Sequence, residues 1–135
     1  MAKFYVDPYL SVDGVALSDH VAEIEVKIAS ADLDVTGGGQ AGTQRIIGKR
    51  DDSFSVTFLQ DHASASVDPT LAGLVGGSLF VVSARPTTAA VGATNPSFSG
   101  TCILTDYTPI GGGIGDRAEA PVVFPVSGTI TRATA

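Results

Sequence analysis

Alternating apolar and polar side chains, together with continuous apolar runs, predict short β-strands along most of the chain. The clearest strand is 53–60, where Phe54, Val56 and Phe58 alternate with serine and threonine. A period of two buries one face of a strand and leaves the other face in solvent. Further strands are predicted at 4–12, 21–29, 79–84, 97–105, 120–126 and 129–132.

Two of these segments predict a more specific arrangement. The near-continuous apolar run at 79–84 is typical of a strand that is buried on both faces. The segments 120–126 and 129–132 are separated only by Ser127 and Gly128, which favours a terminal hairpin. Two prolines in the first of these segments favour a position at the edge of a sheet.

One short helix is predicted after Asp68, which is a good N-cap, with Pro69 in the first helical position. The apolar positions that form one stripe along it are Val67, Leu71, Leu74 and Val75. Gly76 is expected to end the helix in the left-handed conformation. About two turns are not stable alone, so we expect the helix to pack on a sheet. The fold class predicted is all-β with one short helix.

Two segments are predicted to be loops within a single domain that spans 1–135. Residues 30–52 are polar, glycine-rich and aperiodic, and residues 86–96 form a second connection. A loop as long as 30–52 in a small domain is usually functional or disordered.

Charge and cysteine content disfavour several functional classes. Eight basic and fourteen acidic residues give a formal net charge of −6. Affinity for a phosphate backbone comes from Lys and Arg, so this chain is a poor candidate for gripping nucleic acid. A lone cysteine, Cys102, excludes an internal disulfide. The first ten residues lack an apolar signal core and no apolar run is long and unbroken, so we expect neither a secretory signal nor a membrane span.

Two glycine-rich motifs lack the context that phosphate binding needs. Gly37, Gly39 and Gly42 spell G-x-G-x-x-G, but the next strand follows too soon for a helix that would hold a pyrophosphate. The run 111–115 is not followed by the Lys and Ser/Thr of a phosphate loop. We interpret both motifs as flexible connections.

Two Asp-His pairs, Asp19-His20 and Asp61-His62, suggest a catalytic triad at first sight. The serines near them are Ser18 and Ser64. Adjacent residues on a strand point to opposite faces, however, and no G-x-S-x-G elbow is present. Two histidines with loose carboxylates also fall short of a zinc site. We therefore expect no enzyme activity, no metal and no cofactor.

A mixed-charge cluster ends the long loop. Arg45, Lys49 and Arg50 lie close together and Asp51 and Asp52 follow at once. Such a patch suits a protein contact with complementary charge better than a nucleic-acid site, and a solvated loop end is the alternative.

The order of these pieces resembles the major tail proteins, or tail tube proteins, of long-tailed bacteriophages. No single piece is diagnostic, and the resemblance covers nearly the whole chain. The pieces are 17–21 leading into an alternating strand, the loop 30–52, the strand ending at Gln60-Asp61, the helix from Asp68-Pro69, the segments 85–87 and 95–97, and the ending 126–132.

The resemblance implies a structural virion protein with a β-sandwich or barrel fold and a flanking helix. Six protomers would form a ring in which the inner sheets join into one continuous barrel, and stacked rings would form the hollow tube that conducts the DNA genome during ejection. The long loop would reach the adjacent ring. The candidate contact residues on it are Asp32, Asp34, Gln40, Gln44, Arg45, Lys49 and Arg50.

The resemblance also implies partners and a location. The partners would be further copies of the chain, a tape measure protein in the lumen, and the tail tip or baseplate and tail terminator proteins. Phage DNA would pass without specific binding, and no membrane would be involved. The protein would be made and assembled in the host cytoplasm and would reside in the virion tail. An acidic lumen would let DNA slide, since each Lys or Arg contact to a phosphate adds affinity.

Two other classes remain open at this point. One is a related neck, tail-completion or capsid-decoration protein, which would also be β-rich without an active site. The other is a β-sandwich binding module, for example for carbohydrate. The absence of Trp and the three Tyr weigh against carbohydrate, because sugar sites favour amphipathic aromatic rings.

Overall fold

Three antiparallel β-sheets, one short α-helix and one 3-10 turn make up residues 7–135, which are the residues that the computed structural model describes. The helix α1 is Val67–Ala72 and the 3-10 turn is Ser18–His20. The strands are β1 (Tyr9–Val12), β2 (Val15–Ala16), β3 (Val21–Lys27), β4 (Ser30–Asp34), β5 (Arg45–Arg50), β6 (Ser53–Leu59), β7 (Phe80–Arg85), β8 (Ser97–Cys102), β9 (Glu119–Pro125) and β10 (Thr131–Ala133).

Two of the sheets enclose the core. The larger sheet has the strand order β10-β8-β7-β1-β2, and the smaller has β3-β6-β9. Phe54, Val56 and Phe58 of β6 are buried between them, as the alternation predicted. Phe124 of β9 meets Phe58 and Phe80 edge to face, with ring centroids 6.5 and 5.8 Å apart. Such pairs add to the burial of the rings themselves. The prediction of an all-β sandwich with one short helix is confirmed.

The strand at 79–84 is not buried on both faces, so that prediction is wrong. Phe80, Val82 and Ala84 of β7 point into the core, while Val81 is 52% exposed. The larger sheet is antiparallel and covered on one side only, which leaves its outer face in solvent.

The prediction of a terminal hairpin is also wrong. Strand β9 pairs with β6 in the smaller sheet, whereas β10 pairs with β8 in the larger one. The chain crosses between the sheets at Ser127, whose N–H donates to the Thr101 carbonyl, and at Gly128, whose φ of 111° favours glycine. The expectation that the proline-containing segment is an edge strand is confirmed, because β9 lies at the edge of its sheet.

The helix forms where its apolar stripe predicted, with different ends. Val67 and Leu71 are fully buried, so the helix packs on the sandwich. Ser66, not Asp68, occupies the N-cap position, and the helix ends at Ala72. Gly76 has a φ of 68° but lies beyond the helix end.

The N-terminal strand is shorter than predicted in the part that the structure describes. Residues 4–6 of the predicted strand lie outside the described residues, and β1 begins at Tyr9. The turn at Asp13 and Gly14 is confirmed, with φ values of 51° and 80°. It joins β1 to β2 in a tight hairpin.

The segment 30–52 is not an aperiodic loop. Strands β4 and β5 form a hairpin of their own, the third sheet, with Leu33 opposite Ile46 and Asp34 opposite Arg45. The connection at 86–96 is held by Asn95, whose side-chain amide donates to the carbonyl of Ala89 at 2.8 Å.

Candidate assembly surface

The hairpin of residues 30–50, here called the hairpin segment, has one apolar and one charged face. Residues two apart on a strand share a face, so Ala31, Leu33 and Val35 lie on one side, with Ile46 opposite Leu33. We call these four residues the apolar hairpin face. Leu33, Val35 and Ile46 are 46%, 50% and 52% exposed, so no core covers them. An isolated two-stranded hairpin is marginally stable in water, so this face is suited to a partner surface.

The charged face carries candidate contact residues that pair within the chain. Arg45 Nη1 lies 2.8 Å from Asp32 Oδ2, and both side chains are more than half exposed. Asp34 Oδ1 accepts a hydrogen bond from the Thr36 N–H at 2.9 Å, and bonds from Thr36 hold the pKa of Asp34 below its usual value. Two of the candidate contact residues, Asp32 and Asp34, therefore already have partners within the chain.

Local hydrogen bonds shape the tip of the hairpin. The Gln44 N–H donates to Thr36 Oγ1 at 2.8 Å, and Gln40 Oε1 accepts from the Gly37 N–H at 2.6 Å. Gln40 thus stabilises the turn with its side chain, whereas Gln44 does so only with its main chain. No helix follows the glycine motif, because β5 begins at Arg45. The interpretation of that motif as a connection without a nucleotide site fits this geometry.

Arg50 has a different position from the other two cations of the predicted cluster. Its Nη2 lies 2.6 Å from Asp52 Oδ2, and Asp52 is fully buried. Asp52 also accepts hydrogen bonds from the N–H groups of Ala29 and Ile130, at 3.1 and 2.8 Å. Burial raises the pKa of Asp52, but these bonds and the Arg50 charge outweigh it and leave the pKa below the usual value. The pair anchors the base of the hairpin, whereas Lys49 forms no ion pair within residues 7–135.

An apolar cleft of about 490 Å³ opens between β3 and the end of β7. Ile24 and Val26 of β3 and Phe98 of β8 are only half-buried there. We call it the side cleft. Its lining residues are Pro8, Ile24, Glu25, Val26, Ile28, Ala84, Arg85, Pro86 and Phe98. The described residues therefore leave the sandwich incompletely closed on this side.

The structure brings together His20, Asp61 and Ser66, but not as a catalytic triad. Ser66 Oγ donates to Asp61 Oδ2 at 2.9 Å and lies 3.2 Å from His20 Nε2. Asp61 Oδ2 lies 3.5 Å from the same ring nitrogen. A triad needs the serine and the acid on opposite nitrogens of the imidazole, so no proton relay exists here. The sequence pointed to Ser18 and Ser64, not to Ser66. Ser18 instead accepts a hydrogen bond from the Leu10 N–H.

A second polar network fastens the loop after β8 to the helix. Tyr107 donates its hydroxyl to Asp68 Oδ1 at 2.7 Å and accepts from Gln60 Nε2 at 2.9 Å. His62 Nδ1 lies 3.3 Å from the other oxygen of Asp68. Burial, followed by the hydrogen bond to Asp68, raises the pKa of Tyr107. These hydrogen bonds hold the loop against the helix. They use the carboxylate of Asp68, which the sequence predicted to be the N-cap of the helix.

The remaining sequence motifs show no chemistry in the described part of the chain. In the glycine run, Asp116 Oδ2 accepts from the Gly113 N–H at 3.0 Å, so an acid occupies the place a phosphate would need. Burial raises the pKa of Cys102 to about 12, which makes this thiol unreactive. Residues 7–135 contain no cluster of His, Cys, Asp and Glu that could hold a metal ion. Over the same residues, none of the helical structure is long and apolar enough to span a bilayer.

The assembly features were partly visible in the sequence. Ala31, Leu33 and Val35 alternate with two acids, and this alternation indicates strand β4. The prediction missed the strand because the glycines that follow made the whole segment look like a loop. The side cleft had no signal, because its walls come from segments far apart in the chain.

No protein-family model and no curated protein matches the chain. Two solved structures share its architecture. A chain in the virion of a native gene transfer agent (GTA) particle superposes with a TM-score of 0.69 and 16% identity, covering 94% of this chain and 95% of that one. A chain in the tail of an empty GTA particle, computed with helical refinement and C6 symmetry, gives 0.67 and 16%, with coverage of 96% and 95%. The chain therefore has the fold of a particle tail chain, and the tail-tube fold implied by the resemblance is confirmed.

Proposed function

We propose that the chain is a tail tube protein that polymerises as stacked six-membered rings into a hollow tube. The observation that carries this proposal is the full-length fold match to a chain of a tail that has C6 symmetry. Fold alone does not determine function, so two features of this chain add support. They are the uncovered apolar hairpin face and the net negative charge.

The uncovered hairpin favours a role in assembly over a role in catalysis. Leu33, Val35 and Ile46 remain about half exposed in the isolated chain, and burial of such side chains stabilises an interface. The polar clusters of the described residues serve the fold, as His20 with Ser66 and Tyr107 with Asp68 show. A structural protein with no enzymatic activity is the function that these arrangements favour.

The negative charge suits a conduit for DNA. Each copy has a formal charge of −6, and a ring of six copies multiplies it. Phosphates would then meet few cations, and DNA would slide without the salt-dependent grip that Lys and Arg provide. The tape measure, tail tip and tail terminator proteins would be the partners at the lumen and at the two ends of the tube.

Polymerisation of the purified chain tests the proposal. We expect mainly monomers in fresh dilute samples, and six-fold rings or tubes as concentration rises or a tail tip complex is added. Light scattering would follow the mass and negative-stain microscopy the shape. A stable dimer with no larger species at high concentration would contradict the proposal.

A further inference from the structure

Within residues 7–135, two apolar surfaces are left uncovered, one protruding and one concave. The protruding surface is the apolar hairpin face, with Leu33, Val35 and Ile46 about half exposed. The concave surface is the side cleft, in which Ile24, Val26 and Phe98 are half-buried. Grouped exposed apolar side chains of this kind often mark an interaction surface.

The side cleft suits a strand more than a small ligand. Its wall β3 lies at the end of the strand order β3-β6-β9, so its outer main-chain groups have no strand partner among the described residues. An unpaired strand edge beside an apolar groove is the arrangement that binds extended peptide segments. Side chains of an added segment would fill the groove while its main chain lies along the edge.

Charge identifies the strand that fits. The hairpin segment 30–50 carries three cations and two acids, a net charge of +1, while the rest of the chain carries five cations and twelve acids, a net charge of −7. The cleft wall itself contributes one acid, Glu25, and one cation, Arg85, so the acidity lies in the body around the cleft. A cationic apolar hairpin is thus complementary to the acidic body of another copy, and such complementarity favours association.

The hairpin does not cover the cleft of its own chain. Only Ile28 and Ala29 separate β3 from β4, and the hairpin side chains remain exposed along both strands. Contact between two different surfaces of identical chains is heterologous, and repetition of such a contact builds rings or helical tubes.

We infer that the apolar hairpin face of one copy inserts into the side cleft of the next copy. This inference rests on the proposed function and names the surface that receives the hairpin. Ile46 and Leu33 then lie among Ile24, Val26 and Ile28 of the neighbour.

Cross-linking between two single-cysteine variants tests the contact. Chains with Ile46→Cys are mixed with chains with Ile28→Cys, assembled, and treated with a short bismaleimide. The native Cys102 is buried and does not compete. We expect a covalent heterodimer in this mixture and none with either variant alone. The control mixture replaces Ile28→Cys by Val81→Cys, which lies on the outer face of the larger sheet and is similarly exposed.

A matched pair of hairpin variants gives an independent result. Ile46→Ser removes an apolar side chain from the inserted face, and we expect at least a tenfold rise in the concentration needed for assembly. Ile47→Ser removes an even more exposed isoleucine from the opposite face, and we expect little change. Circular dichroism checks that both variants fold.

The outcomes separate the inference from the proposed function. If rings or tubes form without the Ile46–Ile28 cross-link, or with a cross-link to Val81→Cys instead, the side-cleft contact is overturned. The proposed function as a tube protein is then unaffected. Equal effects of the two serine variants overturn it as well. Absence of any polymer of the unaltered chain under all conditions overturns the proposed function and this contact with it.

Discussion

Asp52 joins three segments that are far apart in sequence. Its carboxylate receives the N–H groups of Ala29 and Ile130 and the guanidinium of Arg50, all while fully buried. A buried carboxylate is tolerated only with such partners, and loss of the acid would strand two N–H groups. One side chain therefore fixes where the hairpin leaves the sandwich.

Substitution of this acid is expected to be costly. Asp52→Ala should lower the free energy of unfolding by on the order of 3 kcal/mol, because it strands the buried N–H of Ile130 and the partly buried N–H of Ala29 and leaves Arg50 unpaired. The adjacent Asp51→Ala is the control and should change it by less than about 0.5 kcal/mol, since its side chain is exposed. Urea denaturation measures both, and equal effects would contradict the role assigned to Asp52.

Acid should destabilise the fold through its hydrogen-bonded carboxylates. The pKa values of Asp52, Asp61 and Asp68 are lowered in the folded chain. A lowered folded pKa contributes stability above the unfolded pKa, near 3.8, and this contribution is lost as pH falls through the folded value. We therefore expect the unfolding free energy to fall as pH drops below about 4.

The acid-sensitive contribution can be assigned by substitution. Asp61→Asn cannot titrate, so its unfolding free energy should depend less steeply on pH below about 4 than that of the unaltered chain. Exposed Asp106→Asn serves as the control and should keep the original slope. Identical slopes for all three chains would contradict the role of the Asp61 carboxylate.

At the scale of elements, Gly48 permits close packing across the hairpin. A Cβ added at Gly48 would lie 2.8 Å from the Ala31 Cβ and 3.3 Å from the Leu33 Cγ. A contact of 2.8 Å requires one strand to shift. The hairpin thus requires glycine at this position.

Gly48→Ala should loosen the hairpin while the core stays intact. We expect faster hydrogen exchange over 30–50 and a nearly unchanged melting temperature, because the hairpin lies outside the core. Gly38→Ala is the control, since a Cβ there meets nothing within 4 Å. A large fall in melting temperature for Gly48→Ala, or equal exchange in the two variants, would contradict this account.

The elements that the sequence predicted well are those whose core contacts follow a local pattern. Strand β6 and the buried positions Val67 and Leu71 were found because periodicity reports the buried face directly. The prediction of a terminal hairpin was wrong because distant segments determine strand pairing. Strand β9 pairs with β6 and strand β10 pairs with β8, in two different sheets. The side cleft could not be predicted, since no local pattern records which distant segments form its walls.

At the scale of the whole molecule, charge is unevenly divided. The hairpin segment is slightly cationic and the remaining chain strongly acidic. In the proposed tube this division would allow attraction between subunits while the lumen stays acidic.

The hairpin should become ordered by assembly. Its two strands are exposed and bury little apolar area in the isolated chain, so their main-chain hydrogen bonds open easily. We expect amide exchange over 30–50 to slow at least tenfold on polymerisation, while β6, already central in its sheet, changes little. Equal protection of the hairpin in monomer and polymer would show that it makes no subunit contact.

Lys49 is the cation through which a charge contact between subunits can be tested without damage to the fold. Arg45 and Arg50 already pair with Asp32 and Asp52, so reversing either would disturb the chain itself. Lys49→Glu spares both pairs and should impair tube growth, because each weak surface pair is repeated around every ring. Arg132→Glu makes the same charge change on exposed β10 and serves as the control. Microscopy and circular dichroism of both variants decide the matter: normal tubes from folded Lys49→Glu would exclude Lys49 as a contact between subunits.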